Sequence, residues 1–296
     1  MTDRIIDIAD EPARLSVCNS LLVIRRESGV ETTLPLADLA VLVASHPQIT
    51  FTQAVLAGIA AAGGAFISCD RAHMPAAMLL PLTGHHIQGE RFARQAQAPA
   101  PLRKQLWKQI VRAKLRAQAR LLKELRGDDQ GLAEMISHVR SGDSTQLEAQ
   151  ASRRYWPALF ADPDYRRGDE EDPRNSRLNY GYAVLRAVVA RALCAAGLHP
   201  SLALHHHNRY DAFRLADDLM EPLRPVVDGV VARMEGPSDP AAPLDRQAKA
   251  DLLQALMGRF IVEGESRTLF DIAARTAASL AAAFAGERDD LILPET

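Results

Sequence analysis

The stretch Leu204-His205-His206-His207-Asn208, followed by Leu215-Ala216-Asp217-Asp218-Leu219-Met220-Glu221-Pro222, decides how this chain is read. Three histidines stand just ahead of a helical segment that carries three carboxylates. Asp218 and Glu221 are three residues apart and share one helix face, whereas Asp217 points away from Asp218. A histidine and two converging acids form a donor set for a divalent cation, because carboxylates suit hard ions and imidazole completes a mixed site. A plainer reading stands beside it. Acids in a first helical turn are favoured by the helix dipole alone, and a histidine run in a loop needs no role.

Composition bounds what the rest can be. A chain of 296 residues, 47% hydrophobic and 24% charged, has the make-up of a globular protein with one large or two ordinary domains. A net charge of −2 excludes a global positive field, so any nucleic-acid contact must use local patches. Cys18, Cys69 and Cys194 are odd in number and lack metal-ligand spacing, so a reducing, cytoplasmic location is expected. Met1–Glu11 has no basic n-region, and neither a signal peptide nor a membrane span is expected.

The first eighty residues alternate β-forming runs with turn residues. Leu15–Cys18, Leu21–Arg25 and Glu31–Pro35 read as strands, separated by Asn19-Ser20 and Glu27-Ser28-Gly29. Leu39–Ala44 and Ala65–Cys69 read as buried strands. Between them Ala54–Ala62 reads as a helix with Thr52 at its start and Gly63-Gly64 as its stop. Asp38, Asp70 and His73 look isolated and carry no chemistry. Pro75, Pro81 and Gly84-His85-His86 mark a boundary. The expected fold class is α+β in two domains. Residues 1–82 form a small β-sheet domain with a short helix, for dimer contact or partner docking. Residues 83–101 are hinge and linker, and 102–296 a larger all-α domain.

Arg103–Arg126 carries nine Lys or Arg against Glu124, a net of eight positives in 24 residues. Lys104, Lys108, Arg112, Arg116 and Arg120 fall at steps of four and form a slowly winding stripe, with Leu106, Ile110, Val111, Leu115, Leu121 and Leu122 as the apolar face. In a chain of net negative charge this suggests a phosphate track; an acidic partner or plain solvation are the other readings. Farther on, Thr145-Gln146-Leu147-Glu148 has the form of a capping box at the start of a helix over residues 146–160, with Glu148 returning to the cap amide. Residues 162–176 read as a loop, and Asn179–Arg186 opens an apolar helix in which Tyr180 and Tyr182 are core residues or stacking platforms. Val226–Met234 reads as helix and Glu235–Pro243 as a linker. Leu252–Phe260 and Leu269–Phe284 read as helices, and the tail from Glu287 as loosely held. No Walker-type glycine loop and no Gly-x-Ser-x-Gly elbow is present.

Three phrases together resemble the CRISPR-associated integrase family, the spacer-acquisition endonucleases, in the form of roughly 300 residues that accompanies single-effector systems. They are Ala212–Pro225, Leu147-Glu148-Ala149-Gln150-Ala151-Ser152-Arg153-Arg154-Tyr155-Trp156, and Asn179–Arg186. Ile49–Ala54 and Cys69–Pro75 match the family's N-terminal domain. The resemblance implies Mg²⁺ or Mn²⁺ held by Glu148, a histidine and Glu221. In close forms the histidine lies fifteen residues before the last acid, which selects His206; His205 and His207 stay open. It gives Asp218 the place of an additional catalytic acid and ranks Asp217 below it. Lys104, Lys108, Arg112, Arg116, Arg120, Arg153, Arg154 and Asn208 are then candidate DNA contacts. The family implies a homodimer acting on double-stranded prespacer and repeat DNA, joined with a small CRISPR-associated partner protein in a heterohexamer. Two other readings remain: a metal-dependent nuclease acting on branched DNA in repair, and a non-catalytic DNA-binding subunit.

Overall fold

The computed structural model describes residues 3–71, 73–169, 171–234, 244–262 and 264–294. Ala72 and the expected linker Glu235–Pro243 lie outside them. The N-terminal part contains two four-stranded sheets. One is built from β1 (Arg4–Ile8), β5 (Leu39–Ala44), β7 (Ala65–Cys69) and β8 (Pro75–Leu79), in that order; the other runs β4 (Glu31–Pro35), β3 (Leu21–Arg26), β2 (Ala13–Cys18), β6 (Thr50–Phe51). Asn19 and Ser20 both adopt positive φ, 49° and 61°, so the two-residue connection of β2 and β3 follows the right-handed strand twist. The helix α1 (Gln53–Ala61) makes the crossover between parallel β5 and β7, as the apolar runs imply. Thr52 occupies its cap position without a side-chain hydrogen bond.

Every residue of β5 is buried, and its two faces explain why. Leu42 and Ala44 pack on Leu15, Leu22, Ile24 and Leu34 of the other sheet, while Val41 and Val43 join a core shared with the helices. A strand covered on both sides reads as a continuous apolar run. Three strands of these sheets escaped the sequence, the two-residue β6 among them. β1 carries Arg4 and Asp7 among its isoleucines, and β8 begins at Pro75, a residue tolerated at the first position of an edge strand.

The chain then becomes mostly helical: α2 (Gln88–Ala96), α3 (Ala100–Arg126), α4 (Leu132–His138), α5 (Leu147–Phe160), α6 (Pro173–Ala195), α7 (Arg214–Met220), α8 (Arg224–Arg233), α9 (Arg246–Leu256) and α10 (Leu269–Ala285). α6 starts before the expected Asn179, because Asp172 accepts a hydrogen bond from the Arg174 amide at 2.9 Å and Pro173 suits the first turn. The region is not wholly helical: β9 (Arg259–Val262) and β10 (Glu265–Thr268) form a hairpin where helix was expected up to Phe260. The tail is also held. Gln109 of α3 donates to the Asp289 carbonyl at 2.9 Å and accepts from the Leu291 amide at 2.8 Å. No helix among the described residues is long and apolar enough to cross a membrane.

The first sheet and the helices are joined by polar as well as apolar contacts. Buried Asp7 accepts from Ser45 Oγ at 2.6 Å and from Tyr180 Oη at 2.8 Å, with Lys249 Nζ 3.7 Å away. Tyr180 and Tyr182 are both buried, so they are core residues and not stacking platforms. Between them Gly181 lets α8 approach α6: a Cβ there would meet Val227 Cγ1 at 2.5 Å and Leu252 Cδ2 at 3.2 Å. Overpacking of this kind costs about 1–3 kcal/mol, more than the roughly 0.5–1 kcal/mol that alanine gains over glycine in a helix. Gly181→Ala is therefore expected to lower unfolding free energy in urea, and a double-mutant cycle with Val227→Ala to show a compensating coupling.

Candidate metal centre

The site forms where α3, α5 and the turn after α7 meet. Lys114 of α3 is buried, and its Nζ lies 2.5 Å from Glu148 Oε1 and 2.6 Å from Glu221 Oε2. Burial alone would lower the lysine's pKa, but Glu221 and Glu148 outweigh it and leave it raised, so the ammonium persists. Glu221 follows the same logic. Burial would push its carboxyl up, yet Arg224 and Lys114 hold it down at about 2. Arg224 Nε donates to Glu221 Oε1 at 3.0 Å, and its guanidinium stacks over Tyr182. Glu221 Oε2 faces Lys114 without the geometry of a hydrogen bond.

Glu148 reaches this site because of its helix start. The turn over residues 141–145 is present, but its capping residue is Asp143: Oδ1 accepts the Leu147 amide at 2.9 Å and Oδ2 the Glu148 amide at 3.0 Å. Gln146, with φ 53°, separates the cap from the helix, and Thr145 plays no capping-box part. Glu148 is consequently released from the amide and turns to Lys114, with Ser152 Oγ donating to it at 3.3 Å. Gly142 supports the turn at φ 69°, close beneath Lys104, whose Cγ would lie 3.0 Å from an added Cβ. With its side chain 31% exposed against 9% for Lys114 and 7% for Glu221, Glu148 opens the site to solvent.

Asp218 differs from the sequence expectation. Fully buried, it receives the backbone N–H groups of Leu204 (2.7 Å) and His205 (3.1 Å) on Oδ2, and that of His206 (3.2 Å) on Oδ1. Oδ1 also meets His206 Nδ1 at 2.6 Å, which raises the imidazole pKa. Its lone pairs are thus spent on the histidine loop. Asp218 orients His206 and leaves Nε2 as the free donor, the arrangement by which carboxylates fix metal-binding imidazoles. Trp107 of α3 stacks on His205 at 4.4 Å and meets His206 edge-on at 5.8 Å, fixing the same loop from the other side. His205 and His207 are exposed. Asp217 is paired with Arg186 at 2.7 and 2.9 Å, and Arg224, the partner of Glu221, lies 3.9 Å from it.

Among the described residues, no three His, Cys, Asp or Glu side chains stand in a cluster ready to hold a metal. The donor set nonetheless fits a hard divalent cation: two carboxylates gathered on one ammonium, an unbonded Glu221 oxygen, and an imidazole with Nε2 free. Below the site Asp228 is held between Tyr155 and Tyr182, and burial lifts its carboxyl to about 6.

The basic stripe divides. At ~100° per residue, Arg112 and Arg116 fall nearly opposite Lys114 on α3, and Arg120 well to one side. Arg112, Arg116 and Arg120 instead line a separate cavity of 640 Å³ with Leu291 and Leu293 of the tail, and Arg112 donates weakly to the Ser137 and Val139 carbonyls at 3.3 and 3.4 Å. Lys104 is exposed and Lys108 half-buried on the same helix. Arg153 and Arg154 are exposed one turn beyond Glu148, with Arg154 donating to the Gln130 carbonyl at 3.3 Å. Asn208 is exposed and accepts the Tyr210 amide at 3.1 Å. Lys114 itself was missed as a site residue. The signal was its place inside the apolar face, four residues after Ile110 and seven before Leu121, where a solvated lysine does not belong.

Residues 6–236 match the family model described as CRISPR associated protein Cas1. The chain is 36% identical to the CRISPR-associated endonuclease Cas1 of Neisseria meningitidis serogroup C, over 84% of this chain and 82% of that protein. It is 29% identical to an enzyme of the same name from Pyrobaculum aerophilum, covering 77% of this chain and 82% of that protein. Among solved structures it resembles a casposase bound to its integration product, with TM-score 0.78 at 17% identity over 98% of this chain and 92% of that one. A CAS1 protein from Thermotoga maritima superposes with TM-score 0.74 at 14% identity, over 97% and 98% of the two chains.

The cap gives a direct test. Asp143→Ala removes the acceptor of two amides and is expected to cost about 1 kcal/mol in chemical denaturation, whereas Thr145→Ala should stay within about 0.5 kcal/mol.

Proposed function

From the premise that the chain belongs to the CRISPR-associated protein Cas1 family, we propose that it is a metal-dependent DNA endonuclease and integrase. It inserts short foreign DNA fragments as spacers into the repeat array by attack of a DNA 3′-hydroxyl on a phosphodiester bond. One observation supports this most: Glu148 and Glu221, from distant parts of the chain, share a buried cation beside an imidazole oriented by Asp218.

Glu148, Glu221 and His206 Nε2 would hold the ion, Mg²⁺ or Mn²⁺. Bound there, it supplies charge neutralisation at the phosphate and a means of orienting the oxygen nucleophile. The protein's own residues do the rest. Asp218 keeps the His206 ring in one orientation, and Arg224 keeps Glu221 ionised and in place. Lys104, Lys108, Arg153, Arg154 and Asn208 are candidate contacts to DNA phosphates, and Arg112, Arg116 and Arg120 a separate track along the cavity they line. The N-terminal sheets, as a domain over residues 1–82, would serve dimer contact and docking of the small partner protein in a heterohexamer. Solved structures of similar fold include a Cas6-RT-Cas1–Cas2 complex, with TM-score 0.74 at 16% identity, which accords with such a partner.

Strand transfer into a supercoiled repeat-bearing plasmid, from a short duplex with free 3′ ends and Mn²⁺ or Mg²⁺, tests the reading. Wild type should give covalent insertion, and His206→Ala and Glu221→Ala should lose it by about a hundredfold or more while still binding DNA. Insertion retained in both variants would place the chemistry elsewhere. Nicking without insertion by wild type would favour a nuclease of branched DNA.

A further inference from the structure

A lysine buried between two carboxylates has one of two purposes. As a structural ion pair it holds α3 to α5 and to the turn after α7. As a resident cation it occupies the charge position that a divalent ion would take. The surroundings favour the second. Lys114 bridges the two carboxylates assigned to the ion, through Glu148 Oε1 and Glu221 Oε2. Glu221 already has a permanent partner in Arg224, bound on its other oxygen, so Lys114 is not needed to keep that residue paired. Glu221 Oε2 meets the ammonium at 2.6 Å, on the oxygen that Arg224 leaves open. Meanwhile Glu148 is open enough to solvent for an ion to enter from its side.

We propose that Lys114 is a built-in counter-cation, a positioning residue that keeps Glu148 and Glu221 together before the divalent ion binds and is displaced by it. The proposal rests on the metal-dependent reading above. Two carboxylates held close with no cation repel each other, and an approaching dication next to an ammonium is repelled in turn. Lys114 therefore preserves the donor geometry and at the same time weakens ion binding. The loop bearing His206 needs no such help, since Asp218 and Trp107 hold it independently.

The sign of one measurement separates the two purposes. Mn²⁺ binding is followed by electron paramagnetic resonance and calorimetry on wild type, Lys114→Met and Glu221→Gln, without DNA and without any activity readout. A displaced counter-cation predicts that Lys114→Met binds Mn²⁺ about tenfold or more tightly than wild type, and that its melting temperature falls without the ion and recovers with it. A purely structural lysine predicts weaker binding, because the donors drift apart. Equal or weaker Mn²⁺ binding by folded Lys114→Met overturns the proposal. If that variant does not fold, wild type answers alone: acylation of Lys114, followed by mass spectrometry, should rise on adding Mn²⁺, and unchanged protection overturns it. Mn²⁺ binding that Glu221→Gln abolishes but Lys114→Met leaves unaltered refutes only the role of Lys114. No Mn²⁺ binding by wild type or Lys114→Met refutes the metal-dependent reading itself.

Discussion

Three parts of the chain meet at a single ammonium that lies between two carboxylates. Lys114 is buried by the apolar face of α3, and a buried charge is tolerated only when paired. Glu148 and Glu221 provide the pairing, so the helices that carry them must stand at a fixed distance from α3. The remaining acids near the centre are divided among other partners: Asp217 to Arg186, Asp218 to the histidine loop, and Asp228 to two tyrosines. Every one of these carboxylates faces a donor, some of them shared, and the acidic cluster that results does not repel itself apart.

Sequence periodicity disclosed much of this scaffold. Leu39–Ala44 and Ala65–Cys69 read as buried strands because they are covered on both faces, and Asn19-Ser20 read as a hairpin turn because two positive φ values suit those residues. The failures have physical causes. β1 is broken by charges that find partners only in the folded molecule, Asp7 with Tyr180 and Lys249. The hairpin of β9 and β10 follows directly on α9: Gly258, whose amide donates to the Ala255 carbonyl at 3.0 Å, ends the helix, a glycine stop that the reading through to Phe260 passed over. The tail lacks any periodic pattern, since Gln109 holds it through backbone groups.

The centre itself was legible in part. Motif resemblance pointed to Glu148, His206 and Glu221, of which the fold brings the two glutamates onto one ammonium, but local rules misread two neighbours. Thr145-Gln146-Leu147-Glu148 satisfies the pattern of a capping box, yet Asp143 outcompetes Thr145 because the left-handed Gln146 brings Asp143 beneath the amides. Asp218 looked like another ligand on the strength of its spacing from Glu221. Only the path of the loop reveals that three backbone amides fill its oxygens. Lys114 was hidden by company: in a run of nine basic residues, one that faces inward is noticed only on a helical wheel.

The grip of Asp218 has a consequence for how this loop can change over time. It holds Leu204, His205 and His206 by their main-chain N–H groups, which every amino acid except proline possesses. The side chain of His207 therefore contributes little to where the loop lies, and its identity can drift under neutral substitution while His206 stays aimed; His205 is tied in addition by its stack on Trp107. Inheritance of the site is thus uncoupled from most of the letters around it. What the loop cannot accept is a proline at residues 204–206, which would remove a main-chain donor that no side chain could replace.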